Sequence, residues 1–496
     1  MTAFAAVDLG AQSGRVAVGH FDGERLETTE VHRFANVPVR LGETLHWDIL
    51  GLYREVLDGL RAAAALGTPV ASIGVDSWAI DFGLVDRAGR LLRNPVHYRD
   101  GRRARAVDSV LERISGRELY DRTGIQLLPI NTIFELAAMA GEPDPLLDAA
   151  DSMLLIPDLV HLWLCGARTS ERTNASTTQC FDPRTRDWAR DLVERLDVPA
   201  RLLPGVVEPG TRLGRLEAVV ADETHLGETT VVAVATHDTG SAVAAVPFRR
   251  PDSVFVSVGT WSLVGLEVDE PVITDASFAA NITNEGGVGD TVRLLRNVTG
   301  LWLLHECRRA WAGEGTDYAF DELVALARDA PAFTAFLDPN DPAFTEPGDM
   351  PARIRSYCTA TGQTPPADAG ATARCILESL ALKHAETIET LAAVTGTEPA
   401  EIHVVGGGAR NALLCDWTAC ASGLPVLAGP DEATVLGNLL VQAMAAGEIS
   451  SLAEGRQVVR RSVELSLHEP EEQPEWDEAR ARFAAIVASR SLEVSA

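Results

Sequence analysis

Aspartates stand at two places where a buried strand gives way to a turn. Asp8 closes the apolar run Phe4-Ala-Ala-Val7, and Asp238 follows the apolar residues 231–235 within Thr236-His-Asp-Thr-Gly240. Carboxylates at strand ends face the place where α/β sheets gather ligands. Asp8 is followed at once by Gly10-Ala-Gln-Ser13-Gly14-Arg15, and a related turn, Gly259-Thr260-Trp-Ser262, lies between apolar strands near the middle of the chain. Each reads as a β-hairpin whose Gly-x-x-Ser turn offers backbone N–H groups and hydroxyls to a phosphate, because glycine lets the main chain approach an anion closely. Two copies suggest two related domains gripping one polyphosphate. Beside such a turn Asp8 suits Mg²⁺ held through water, whereas Asp238, next to His237, suits a general base against a substrate hydroxyl. Phosphoryl transfer asks for little more, since the protein chiefly positions groups and spreads charge.

Each residue also has a plainer reading. An aspartate after a strand serves as a helix cap, and a lone histidine serves as a hydrogen-bonded core residue. Gly406-Gly407-Gly408 follows a strand and precedes a helix, which fits a flat ligand laid against bare backbone; its alternative is a linker. Asn297 and His305, eight apart in an apolar segment read as helix, face either a nucleotide, the core or solvent. Trp78, in Asp76-Ser-Trp-Ala-Ile-Asp81, and Trp261 read as packing residues, with Trp78 also able to wall a sugar site.

The elements that position these residues alternate in type. Strands are expected at 3–8, 15–21, 72–76, 79–85 and 231–235, and helices at 47–66, 102–114, 133–140 and 241–246. In the second half, helices at 297–311, 371–395 and 412–422 accompany strands at 401–405 and 425–428, with a last Ala-rich helix after Gly437. Pro247-Phe-Arg-Arg-Pro-Asp252 punctuates the chain just before the second hairpin. The expected division is therefore 1–247, carrying sugar and catalysis, 248–447, carrying nucleotide, and a peripheral charged tail over 448–496.

Composition narrows the function. The chain has 496 residues, enough for two or three domains, and a formal net charge of −28, which argues against nucleic-acid binding. Lys383 is the only lysine and lies in an apolar segment, so any phosphate site works without a Walker-type lysine. No run of about 18 apolar residues and no leader pattern is present, so a cytoplasmic enzyme without membrane contact is expected. Seven cysteines without a C-x-x-C pair point to thiols in a reducing compartment rather than to zinc; Cys358 and Cys375 flank a Pro/Gly-rich loop and could bridge on oxidation.

The peptides Val7-Asp-Leu-Gly-Ala-Gln-Ser-Gly-Arg15, Asp76-Ser-Trp-Ala-Ile-Asp-Phe82, Tyr98-Arg-Asp100, Gly124-Ile-Gln-Leu-Leu-Pro-Ile-Asn131, Thr173-Asn-Ala-Ser-Thr-Thr178, Ala235-Thr-His-Asp-Thr239, Ser257-Val-Gly-Thr-Trp-Ser-Leu263, Asn281-Ile-Thr-Asn-Glu-Gly-Gly287, Leu301-Trp-Leu-Leu304 and Val405-Gly-Gly-Gly408 occur in this order. Together, over residues 4–460, the chain closely resembles the FGGY carbohydrate kinases. The two peptides at 124–131 and 281–287 are the most specific to the branch acting on L-rhamnulose. The resemblance implies an α/β fold of two ribonuclease-H-like domains, as in actin-like ATPases and sugar kinases, around an interdomain cleft. It implies ATP with Mg²⁺, a small-molecule ketose phosphorylated at its 1-hydroxyl, and a monomer or small homo-oligomer. It makes Asp238 the proton acceptor and His237 a sugar contact. Ala11, Gln12, Ser13, Gly14 and Arg15 match the first ATP turn, and Thr260, Asn297, His305 and Gly407 match further ATP positions. Two residues depart from the family pattern: Ala79 replaces a glycine near the sugar, and His305 replaces a glutamine. One added methyl can shift ketose preference by about 1–3 kcal/mol. The rival readings are a kinase for fuculose, xylulose or autoinducer-2, and a non-catalytic sensor on the same fold.

Overall fold

The computed structural model describes residues 1–142, 145–471 and 473–494. They form two compact units, each assembled from separated stretches of chain. The first combines Met1–Pro247 with Glu267–Leu295 and Ala433–Val463; the second combines Phe248–Leu266, Arg296–Glu432 and Glu464–Ala496.

The first unit is built on a six-stranded sheet. Its strands are β1 (Thr2–Leu9), β2 (Ser13–Phe21), β3 (Leu26–Ala35), β4 (Val70–Ser77), β5 (Thr211–Arg215) and β6 (Thr230–Ala233), in the spatial order β5-β6-β4-β1-β2-β3. From Ala3 onward β1 is buried at every residue, as befits a central strand covered on both faces. Helix Ile49–Ala65 lies against β2 and β3, opened by Asp48, whose carboxylate accepts from the Gly51 N–H. Helix Ala433–Ala446 packs on β1 and β4 and against helix Asp238–Ala244.

The second unit contains β7 (Ser253–Val258), β8 (Trp261–Val268), β9 (Glu401–Val405), β10 (Val426–Ala428) and β11 (Ser466–His468). Their order is β8-β7-β9-β10-β11. Pairing along this run is antiparallel, parallel, parallel, antiparallel. The run β2-β1-β4-β6-β5 of the first unit has the same sequence of pairings. The repeat seen in two hairpins thus extends to five strands in each unit. The mixed α/β topology is that of a duplicated sheet with helices packed on its faces.

Two local assignments change. Asn297 lies on strand Val292–Thr299, and the helix after it begins only at Trp302. Asp238 is the first residue of helix Asp238–Ala244, three residues earlier than the apolar pattern predicts, with His237 as its N-cap. Beyond residue 448, helix Leu452–Ser462 buries Val458 and Val459, and helix Pro474–Val494 buries Trp476, Ala479 and Phe483. All seven cysteines, Cys358 and Cys375 among them, are free. Among the described residues no helix is long and apolar enough to cross a membrane.

Candidate active site

In the first unit the two parallel central strands bring carboxylates together. Asp8 of β1 stands in register with Asp76 of β4. Across the hairpin Asp8 pairs with Arg15, whose Nε and Nη2 donate to the same carboxylate oxygen at 2.9 and 2.7 Å. The turn between them closes through Gly10 N–H to Ser13 O at 3.0 Å, and Asn36 pins it from outside by donating to Gly10 O and Gln12 O. A side chain on Gly14 would run into the Phe34 ring, 2.3 Å away. Gln12 and Ser13 at the tip are exposed, while Ala11 and Arg15 are half-buried.

Asp76 is fully buried and receives 2.6 Å from Asn438 Nδ2. Burial pushes its carboxyl well above the usual carboxylate range, and the Asp8 charge beside it adds to the effect. An amide ladder supports it: Asn438 Oδ1 accepts from Gln442 Nε2 at 2.7 Å, and Gln442 Oε1 accepts from the Ser72 hydroxyl at 2.6 Å. Neither amide was singled out from sequence, although their i, i+4 spacing in an otherwise apolar helix was the available signal.

Asp238 sits at the head of its helix with one oxygen, Oδ1, accepting from Thr239 N–H at 2.5 Å and from the Thr239 hydroxyl at 3.2 Å. Its side chain keeps 31% of its surface open, enough to meet a ligand, yet lies deep enough that desolvation raises its proton affinity. The charge of Asp8 raises it further, while His237 opposes. The strand end before it is gripped by fully buried Glu171, which accepts from Thr173 N–H and Oγ1 and from Thr236 N–H and Oγ1 at 2.5–2.9 Å. His237 N–H donates to Thr173 Oγ1 at 3.2 Å. The peptides at 173–178 and 235–239, separate in sequence, thus meet at one strand end.

Ala79 is half-buried in the bend after β4. The next residue, Ile80, has φ +67°, a left-handed backbone that a β-branched residue adopts only under constraint. Asp81 supplies that constraint. Its fully buried carboxylate accepts from Trp47 Nε1 at 2.6 Å, Trp78 Nε1 at 3.0 Å, Tyr98 N–H at 3.2 Å and Arg103 Nη2 at 2.5 Å. Trp78 and His97 lie against the Trp47 ring with centroids 4.1 Å away in each case. Burial, then Arg99 and Arg103, push the His97 pKa down to about 3, so that ring is neutral. Trp78 therefore belongs to an aromatic cluster directly behind the Ala79 bend.

The second unit carries its own turn. Gly259 N–H donates to Trp261 O at 2.7 Å, and Gly300 N–H and Trp302 N–H donate to Thr260 O at 3.1 and 3.3 Å. Gly300 has no room for a side chain, which would come within 2.6 Å of the Trp261 backbone. His305, on helix Trp302–Gly313, is half-buried, and burial together with Arg308 lowers its pKa, leaving it neutral near pH 7. The glycine triplet divides by role. A side chain on Gly408 would meet Val258 at 2.3 Å, whereas one on Gly407 would meet nothing within 4 Å. We expect Gly408→Ala to cost about 1–3 kcal/mol by overpacking. Gly407→Ala should leave the melting curve unchanged and raise KM for ATP, which paired thermal melts and initial-rate kinetics would check.

Among the described residues no three His, Cys, Asp or Glu side chains form a metal cage. Asp8 is instead a buried carboxylate beside a phosphate-type turn, with Asp76 next to it in register and its Oδ2 held by Arg15. That donor set fits Mg²⁺, which usually keeps several waters and takes one or two carboxylates together with substrate phosphates.

Residues 3–245 match the N-terminal domain of the FGGY family of carbohydrate kinases, and residues 254–446 match its C-terminal domain. The rhamnulokinase of Bacteroides thetaiotaomicron is 42% identical over 484 residues, covering 98% of this chain and 99% of the relative. Rhamnulokinases of Enterococcus faecalis and Bacillus subtilis are 39% and 38% identical, covering 94% and 95% of this chain and 94% and 96% of the relatives. Among solved structures, a ligand-bound xylulose kinase from Lactobacillus acidophilus superposes with a TM-score of 0.81 at 16% identity, over 100% of this chain and 99% of that one. Plasmodium falciparum glycerol kinase with ADP gives 0.76 at 14% identity, over 99% and 98%. At such identities these two likenesses concern the fold alone.

Proposed function

The chain belongs to the FGGY family of carbohydrate kinases, and we propose that it transfers the γ-phosphoryl group of ATP to the 1-hydroxyl of L-rhamnulose; the relatives described above are named rhamnulokinases. The observation that carries the catalytic part is the state of Asp238. It is held by Thr239 at one oxygen, open to a ligand, and raised in proton affinity, as a general base acting on a hydroxyl requires.

In this reading the Asp238 carboxylate accepts the proton of the sugar hydroxyl as its oxygen bonds to the γ-phosphorus. The bond from that phosphorus to the bridging oxygen breaks, and ADP leaves with the electron pair. His237 and the Ala79 bend contact the sugar. Residues Ala11, Gln12, Ser13, Gly14 and Arg15 line one phosphate-binding turn, and Thr260, Asn297, His305 and Gly407 take further nucleotide contacts. Asp8 would hold Mg²⁺ through water, and the ion would supply neutralisation of charge on the phosphates. Sugar and catalysis belong in this reading to the first unit, which 1–247 supplies together with 267–295 and 433–463, and nucleotide to the remainder of 248–447, in a cytoplasmic protein.

Ketose choice is the part most open to direct measurement. A panel of L-rhamnulose, L-fuculose, D-xylulose and autoinducer-2 with coupled ADP detection should give the highest kcat/KM on L-rhamnulose. A higher value on another ketose would overturn the substrate assignment, and ADP release at background with every sugar would overturn the kinase reading.

A further inference from the structure

The peptide at 281–287 and the arginine after it have no part in the mechanism above, yet they reach the site. Residues 283–286 and 292–295, all of the first unit, pair as antiparallel strands so that Glu285 opposes Arg293. Arg293 is fully buried. Its Nε donates to Gly286 O at 2.9 Å, its Nη1 stands 3.1 Å from Glu285 Oε2, and its Nη2 donates to His237 Nδ1 at 3.1 Å. The hairpin is anchored on both sides by motifs that read as separate in sequence. Gly286 N–H donates to Ser176 Oγ at 2.8 Å, Arg172 Nη2 donates to Gly287 O at 2.6 Å, and Asn284 N–H donates to Gly124 O at 2.9 Å.

A guanidinium has donors and no acceptor. The ring nitrogen that receives its N–H must therefore present a lone pair, and the proton of a neutral imidazole is then forced onto the other nitrogen. Glu285 Oε2 is also close to Nδ1, at 3.2 Å. In the absence of Arg293 that carboxylate would take an Nδ1–H and reverse the arrangement. With Arg293 in place its charge is answered by Nη1, and Nδ1 is committed as an acceptor. His237 Nε2 points the other way, 3.4 Å from Asp238 Oδ1.

We propose that Arg293 and Glu285 are positioning residues that fix His237 as its Nε2–H tautomer, so that a permanent N–H donor stands beside the Asp238 carboxylate and recognises an acceptor oxygen next to the reacting hydroxyl. In a ketose phosphorylated at its 1-hydroxyl that oxygen is the one on the second carbon. The role in sugar recognition rests on the kinase reading above; the tautomer does not.

The test reads the ring directly. In protein labelled with isotopic histidine, long-range proton–nitrogen spectra separate an Nδ1–H from an Nε2–H ring, and His237→Gln identifies the His237 signals among those of the 11 histidines. The free protein should show Nδ1 unprotonated and Nε2 protonated. Arg293→Met should reverse the pattern and lower kcat/KM for the sugar by about 10²- to 10⁴-fold, the scale of a catalytic histidine held in the wrong tautomer. Arg293→Met combined with Glu285→Gln removes both buried charges and supplies an amide N–H to Nδ1, so it should restore the Nε2–H pattern and recover activity at least about tenfold over the single variant. A wild-type ring with Nδ1 protonated, or a double variant that folds with the Nε2–H pattern yet recovers nothing, would overturn the proposal. The predicted tautomer in a protein that phosphorylates no ketose would instead overturn the functional reading and leave the tautomer assignment standing.

Discussion

Asp238→Asn is expected to lower kcat by about 10²- to 10⁴-fold, the usual contribution of a general base. The substitution keeps shape and the acceptor for Thr239 N–H, so ATP affinity and the melting temperature should stay near wild type. Proton uptake requires the ionised carboxylate, so in the wild type kcat/KM falls as pH drops through the Asp238 pKa. Desolvation and the Asp8 charge raise that pKa from the ordinary 3.8, which places the acid limb above that value. A limb at or below 3.8, or near-normal turnover by the asparagine variant, would remove Asp238 from the role. Initial rates across pH with saturating ATP make both measurements.

Gly437→Ala should damage the enzyme almost as severely without touching a reacting group. A Cβ at this position would lie 1.8 Å from the Ser241 carbonyl oxygen and 2.6 Å from its carbon. Both are backbone atoms of the helix that begins at Asp238, so relief requires that helix to move. Overpacking of this kind costs about 1–3 kcal/mol, and shifting a catalytic group by about 1 Å costs roughly 10²-fold in rate. We expect a lowered melting temperature together with a kcat loss of that order. An alanine variant with wild-type kcat would show that the two helices do not fix the carboxylate.

How far the sequence revealed this depended on the distance over which each feature is encoded. The hairpins at Gly10 and Gly259 were readable because a glycine-serine turn between buried strands is a local pattern, and the all-buried β1 reads as a continuous apolar run. Residues 297–311 read as one apolar helix, but strand pairing holds the chain extended through Thr299 and delays the helix to Trp302. The helix at Asp238 was read late because its first turn, Asp-Thr-Gly, has poor intrinsic helix propensity, and packing against helix Ala433–Ala446 supplies what propensity lacks. Glu171, Glu285 and Arg293 were invisible as site residues. A buried charge looks like a surface charge until its partners are known, and one partner of Arg293, His237, lies 56 residues away.

The discontinuous make-up of the first unit sets the timetable of its birth. A nascent chain that has reached residue 247 already carries Asp8 and Asp238, but Arg293 and the amides of Asn438 and Gln442 belong to stretches not yet synthesised. At ordinary translation rates the wait for residue 463 is about 10–40 s. Throughout it the faces of β1 and β4 that helix Ala433–Ala446 covers remain bare. The last step in forming this unit therefore waits for its closing helix, and until that helix arrives the chain's net negative charge helps to keep the half-made sheet dispersed.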